Sequence, residues 1–139
     1  MTESTRRLIL RANAVFLILA GGGSLLMDLR AYFFGVGPSS RFIAAAPYTA
    51  IGFVEAHGLA LIFGVLFAIA AVSRPWHLTA AAVHVLLGGS NILFWKIFVA
   101  GDLLAMGYVT TAFHALFVVL ETAAALSAPR SPSAMELRR

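Results

Sequence analysis

The sequence predicts an all-α polytopic membrane protein, a four-transmembrane-helix antiparallel bundle with both termini cytoplasmic. Three observations lead there. The 139 residues are 60% hydrophobic and only 12% charged, whereas soluble domains run nearer half apolar and a quarter charged. Mean hydropathy is +0.91. The apolar residues also gather into four stretches, each close to the ~20 residues that a helix rising about 1.5 Å per residue needs to cross the hydrocarbon core. So few charges cannot clothe so much apolar mass in water, which excludes a soluble globular enzyme. The chain has no cysteine, which excludes a disulfide scaffold, thiolate metal sites and thiol catalysis.

The first span is Leu8–Met27, behind Arg6, Arg7 and Arg11. Basic residues followed by an apolar run also resemble a signal peptide. The run continues through Leu25, Leu26 and Met27 and three more spans follow, so a retained helix is expected. Asp28–Ala50 is interrupted by Gly35, Gly37 and Pro38 and enriched in Tyr32, Phe33, Phe34, Phe42 and Tyr48. It reads as an interfacial loop with a short surface helix over Ser39–Ala46. Ile51–Val72 is the second span, and Ser73, Arg74 and Pro75 turn the chain. Pro75 suits the first turn of a helix, where its missing N–H is no loss. The third span, Trp76–Trp95, carries a tryptophan at each end, as an interfacial belt places them. A turn near Gly101 and Asp102 leads to the fourth, Tyr108–Ala128. Residues 1–128 form one domain, and the polar residues 129–139 are expected to be disordered.

Orientation follows the bases. Arg6, Arg7, Arg11, Arg74, Arg130, Arg138 and Arg139 fall on one side, against Arg30, Arg41 and Lys96 on the other. The richer side is cytoplasmic, so the expected location is the inner (plasma) membrane. The net charge of +4 is not gathered into a patch that would bind nucleic acid.

An internal repeat is suggested by Leu19–Met27 against Leu86–Phe94, and by Gly52–Ile62 against Gly107–Phe117. True repeats would give a parallel two-plus-two arrangement about the membrane normal. Glycines that simply let helices pack closely are the alternative.

Polar residues inside the spans carry the functional signal, because ionisable groups in lipid are costly and face the bundle interior. On the third span His77, His84 and Asn91 recur every seven residues and share a face. On the fourth, Thr110, His114 and Glu121 form a similar stripe. Glu55 and His57 on the second point to different faces. Counting symmetrically about residues 102–103 and 74 puts Ser24, His57, Asn91 and His114 at one depth in the outer half. His84 and Glu121 share a depth nearer the cytoplasm. The first set is the candidate ligand-binding layer. The second is a candidate proton relay, its two side chains expected within hydrogen-bond reach directly or through one water. His77, beside Trp76, reads as solvated at the interface, and Glu55 as hydrated near the outer boundary. Nucleotide-binding, zinc-protease and nucleophile-elbow motifs are missing.

Phe53–Pro75 resembles the signature of DoxX-type small four-helix membrane proteins, with Glu55, Gly58, Gly64 and Arg74 at matching positions. The resemblance covers roughly a fifth of the chain. It implies a four-helix membrane fold associated with membrane redox subunits and quinone-linked chemistry. The histidines at 57, 84 and 114 lie outside that pattern.

Three functions are compatible with these residues. The bundle binds a lipophilic ligand, a quinone or isoprenoid-like lipid, or serves as a subunit of a larger membrane complex or homo-oligomer. Alternatively His57 and His114 ligate a single b-type haem axially. Or Glu121, His84, Asn91 and His114 form a polar file for protons or ions.

Overall fold

The structure is a computed structural model and describes residues 1–129. The expected tail falls outside the described residues apart from Pro129. Every regular element among the described residues is helical. Helix α1 runs Glu3–Phe34. Thr2 caps it, its hydroxyl accepting from the Thr5 amide at 3.2 Å, and Glu3 sits in the first turn. Both features satisfy or complement the unpaired amides of a helix start. The helix ends at Gly35, whose left-handed φ of 69° and amide bond to the Ala31 carbonyl make a C-terminal cap.

Thus Asp28–Phe34, expected to open the loop, extends α1 instead. Gly35 is the first residue able to stop the helix, and nothing before it breaks the backbone ladder. Helix α2 (Ser40–Ala45) lies within the stretch expected as a surface helix. Helix α3 is Thr49–Ile69. Helix α4 is Arg74–Leu93, with Pro75 in its first turn. At Phe94 the backbone leaves the helical region, and α5 (Trp95–Ala100) follows as a separate six-residue piece. Asp102, at φ 57°, turns the chain into α6, Leu104–Ser127.

Helices α1 and α3 pack as one antiparallel pair, α4 and α6 as another. The pairs meet through α1 with α6 and α3 with α4, so the order around the bundle is α1, α3, α4, α6. Glycine sets the closeness of the first pair. A Cβ at Gly21 would lie 2.8 Å from the Leu61 backbone nitrogen, and one at Gly64 2.9 Å from that of Ile18. Beside this seam sits a core of Leu10, Ala14, Leu17, Ala60, Phe67 and Ala80. A smaller cluster of Ala31, Ile43 and Ala50 seats α2.

Each half of the chain is a long helix, a six-residue helix and a long helix. The division matches the internal likeness read in the sequence. Gly88, aligned with Gly21, is likewise pressed on its partner, a Cβ there lying 2.9 Å from the His114 Cβ.

Helices α1, α3 and α6 are long and apolar enough to cross a membrane. Helix α4 spans 20 residues but carries His77, His84 and Asn91, which lower its hydropathy. Large apolar side chains such as Leu19, Ile69, Leu86 and Val119 face outward, a surface suited to acyl chains and not to water.

Candidate functional site

The polar residues of α1, α4 and α6 meet inside the bundle in one hydrogen-bonded chain. Asn13, His77, His84 and Glu121 are completely buried, and His114 nearly so. The Asn13 amide donates from Nδ2 to Glu121 Oε1 at 2.7 Å. His84 Nε2 lies 2.7 Å from Asn13 Oδ1, and His84 Nδ1 lies 2.8 Å from His114 Nδ1. On the other side, His77 Nδ1 is 2.5 Å from Glu121 Oε2.

The donors can be assigned from the chemistry of the groups. A carboxylate offers only acceptors, so Asn13 must turn its NH2 toward Glu121 and its oxygen toward His84. That oxygen requires an N–H on His84 Nε2. A neutral His84 then presents a lone pair at Nδ1, and His114 donates to it from its own Nδ1. His77 donates to Glu121 from Nδ1. Every donor therefore points toward Glu121, which collects hydrogen bonds from both directions. The rings are held by apolar neighbours. His84 stacks on Phe117 with centroids 5.0 Å apart, and Phe16 packs edge-on to His114 at 5.7 Å.

Near the N-terminal end of α1, buried Arg6 donates from Nη1 to the Ser127 carbonyl at 3.1 Å. Arg6 Nε and His77 Nε2 are buried with no protein partner among the described residues. Arg11 closes the C-terminus of α3, donating to the Phe67 carbonyl and, at 3.0 Å, to that of Ala70. A cation there complements the exposed carbonyl ends of the helix.

Two further clusters lie toward the opposite end. Asn91 donates from Nδ2 to the hydroxyls of Thr110 and Thr111 at 3.1 and 3.2 Å. Asp28, 3% exposed, receives the Ser39 hydroxyl on Oδ1 at 2.8 Å and pairs through Oδ2 with His57 Nδ1 at 2.5 Å.

Several sequence expectations are corrected by this geometry. His57 and His114 do not face one another. Helices α3 and α6 stand at opposite corners of the bundle, and each imidazole already has another partner, Asp28 and His84 respectively. The two histidines are therefore not placed as an axial haem pair. His84 and Glu121 belong to one chain but share no hydrogen bond; Asn13 bridges them. His77 is not solvated beside Trp76 but is the buried partner of Glu121. Asn91 is level with Thr110 and Thr111, not with His114. The α4–α6 register thus differs by about one turn from symmetric counting about residues 102–103. Its cause is the break at Phe94: the α4 axis stops at Leu93, α5 is a separate piece, and α6 starts only at Leu104. Ser24 is half-buried on α1, eleven residues from Asn13 and hence on nearly the same face. Glu55 is exposed on α3.

Asn13 and Asp28 escaped the sequence reading, one as a single amide in an apolar run and one assigned to a loop. A signal for Asn13 was present. Arg6 and Asn13 are seven apart on α1, as His77 and His84 are on α4. Among the described residues, no three His, Asp or Glu side chains are placed to hold a metal ion. No family model, curated protein or solved structure matches the chain.

Proposed function

We propose that this is a small multi-pass protein of the plasma membrane whose four-helix bundle transfers protons through the buried His114–His84–Asn13–Glu121–His77 chain. One observation carries the reading: five polar side chains from three helices, all buried, are joined end to end with every donor aimed at a single carboxylate. Ionisable groups at such depth are expensive, and where they persist they mark proton and ion pathways. Imidazole and carboxylate side chains are the groups that most often accept and donate protons in positioned acid–base chemistry. His114 and His84 form one exchanging pair, Glu121 and His77 the other, and Asn13 holds the two in line. Both termini lie in the cytoplasm in this reading, as the arginine distribution requires, and α4 completes the four spans because its polar face is turned inward.

The test is proton uptake by phospholipid vesicles holding the purified protein, followed with a lumenal pH dye under an imposed potassium diffusion potential. Wild-type protein is expected to take up protons, and Glu121→Gln to reduce uptake to that of empty vesicles. A second readout is the infrared carboxylate stretching bands of the buried Glu121, which Glu121→Gln should remove. Wild-type vesicles no faster than empty ones overturn the proposal.

A second reading is a lipophilic ligand at the loop end. A cleft of about 430 Å³ there is lined by Ala31, Tyr32, Ile43 and Pro47 together with Arg41. An apolar floor with one cation suits a quinone or a lipid with an anionic headgroup. Its check is co-purifying lipid or quinone that Arg41→Ala loses.

A further inference from the structure

Asp28 and His57 are not used by the buried relay, yet among the described residues they form a second carboxylate–imidazole pair, its carboxylate buried and its imidazole part-exposed. We infer that this pair is the proton port at the far end of the pathway, an inference that rests on the relay reading above. Three features converge on it.

The first is placement. Arg6, Asn13, Ser24 and Asp28 occupy neighbouring faces of α1, at rotations within about 60° of Asn13. From Arg6 to Asp28 the helix rises about 33 Å, close to the ~30 Å of the hydrocarbon core. The relay takes up the Arg6 half of that distance. Asn91 bonds Thr110 and Thr111 one turn along α6 from His114, and Ser24 lies one turn before Asp28 on α1. Hydroxyls both accept and donate, so these residues are suited to pass a proton onward.

The second is access. The Asp28 side chain is 5% exposed and that of His57 34%. The carboxylate is inside, while the imidazole spans from it to the surface. A port needs that gradation, and none of the five relay residues has it.

The third is orientation. Asp28 Oδ2 takes the N–H of His57 Nδ1, which leaves a lone pair on Nε2. Ser39 donates to the other carboxylate oxygen and so fixes the plane of Asp28. A proton arriving from water binds His57 Nε2, and the proton on Nδ1 passes to Asp28 Oδ2. The result is a neutral imidazole of the opposite tautomer and a neutral Asp28 carboxyl group. One proton has been gained and none lost, and Asp28 then holds it on the interior side of His57. The same steps in reverse release a proton outward.

The alternative is that the pair merely ties the α2 segment to α1 through Ser39. Vesicles carrying the full chain separate the two. His57→Ala is expected to lower uptake by about tenfold or more, the scale of losing a positioned acid–base group. Imidazole added to the buffer should restore part of it, since the removed ring was reachable from the surface. Asp28→Asn, which keeps the size of the carboxylate, should also slow uptake while melting within a few degrees of wild type. A structural tie predicts the reverse: lowered melting in both variants and no effect of imidazole. Uptake by His57→Ala equal to wild type, or reduced uptake that imidazole leaves unchanged, overturns the port and leaves the relay standing. Wild-type uptake no faster than that of Glu121→Gln overturns the relay and the port with it.

Discussion

Glu121 is the residue on which the buried chain depends, and Asn13 is the residue that makes it a chain. Asn13 spends one hydrogen bond on each neighbour, so Asn13→Leu strands Glu121 Oε1 and His84 Nε2 together. Each stranded buried group costs about 1–3 kcal/mol. Asn13→Leu is therefore expected to lower the thermal midpoint in detergent clearly, and a midpoint equal to wild type would count against the network. The same bridge sets how His84 and Glu121 feel one another. A double-mutant cycle of His84→Ala and Glu121→Gln should show coupling in the wild-type background and lose it in Asn13→Ala. Coupling that survives the loss of Asn13 would mean a direct path between the two. Removing the charge alone, by Glu121→Gln, keeps the shape of the site and should abolish proton uptake while the fold persists.

Among the elements, glycine positions separate packing from mere flexibility. Gly21 meets the α3 backbone, with a Cβ there only 2.8 Å from Leu61 N, whereas Gly23 has nothing within 4 Å. Gly21→Val should force α1 and α3 apart and destabilise by about 1–3 kcal/mol, the range for overpacking, while Gly23→Ala should be neutral. Equal melting of the two variants would show that the α1–α3 seam tolerates expansion. The two glycines are the outer members of one triplet, and the sequence marks only that a triplet is present. Which glycine faces the partner depends on register, which tertiary contact decides. The long helices themselves were readable because their apolar runs exceed the bilayer span. The far end of α1 was not: Asp28 and Arg30 look like an exit from lipid, yet a helix continues until something stops it, and here that is Gly35.

Across the whole molecule, counting by depth separates His114 from His84 and Glu121, whereas the structure joins His114 directly to His84. His84, His114 and Glu121 do share one interior chain. His57 was assigned to the same site because depth says nothing of position around the bundle, and α3 and α6 occupy opposite corners. Asn13 and Asp28 became visible only when helices were set side by side. The arginine asymmetry makes a further claim that the cysteine-free sequence lets one test cleanly. Single cysteines placed at Val36 and Lys96 should react with an impermeant thiol reagent added outside intact cells, and one at Ser4 only after lysis. The opposite pattern would invert the topology.

Asn13 has one more consequence. An amide placed between an imidazole and a carboxylate conducts hydrogen bonding but not charge: its nitrogen gives up a proton only by passing through a rare imidic-acid form. Asn13 is thus the slow link of the chain, and it stands at the middle. Had a carboxylate or an imidazole stood there, a proton would pass that point without such a form. With an amide there, each proton waits on that form at Asn13, so the throughput of the bundle is set at one residue of α1 and not at the ionisable groups on either side.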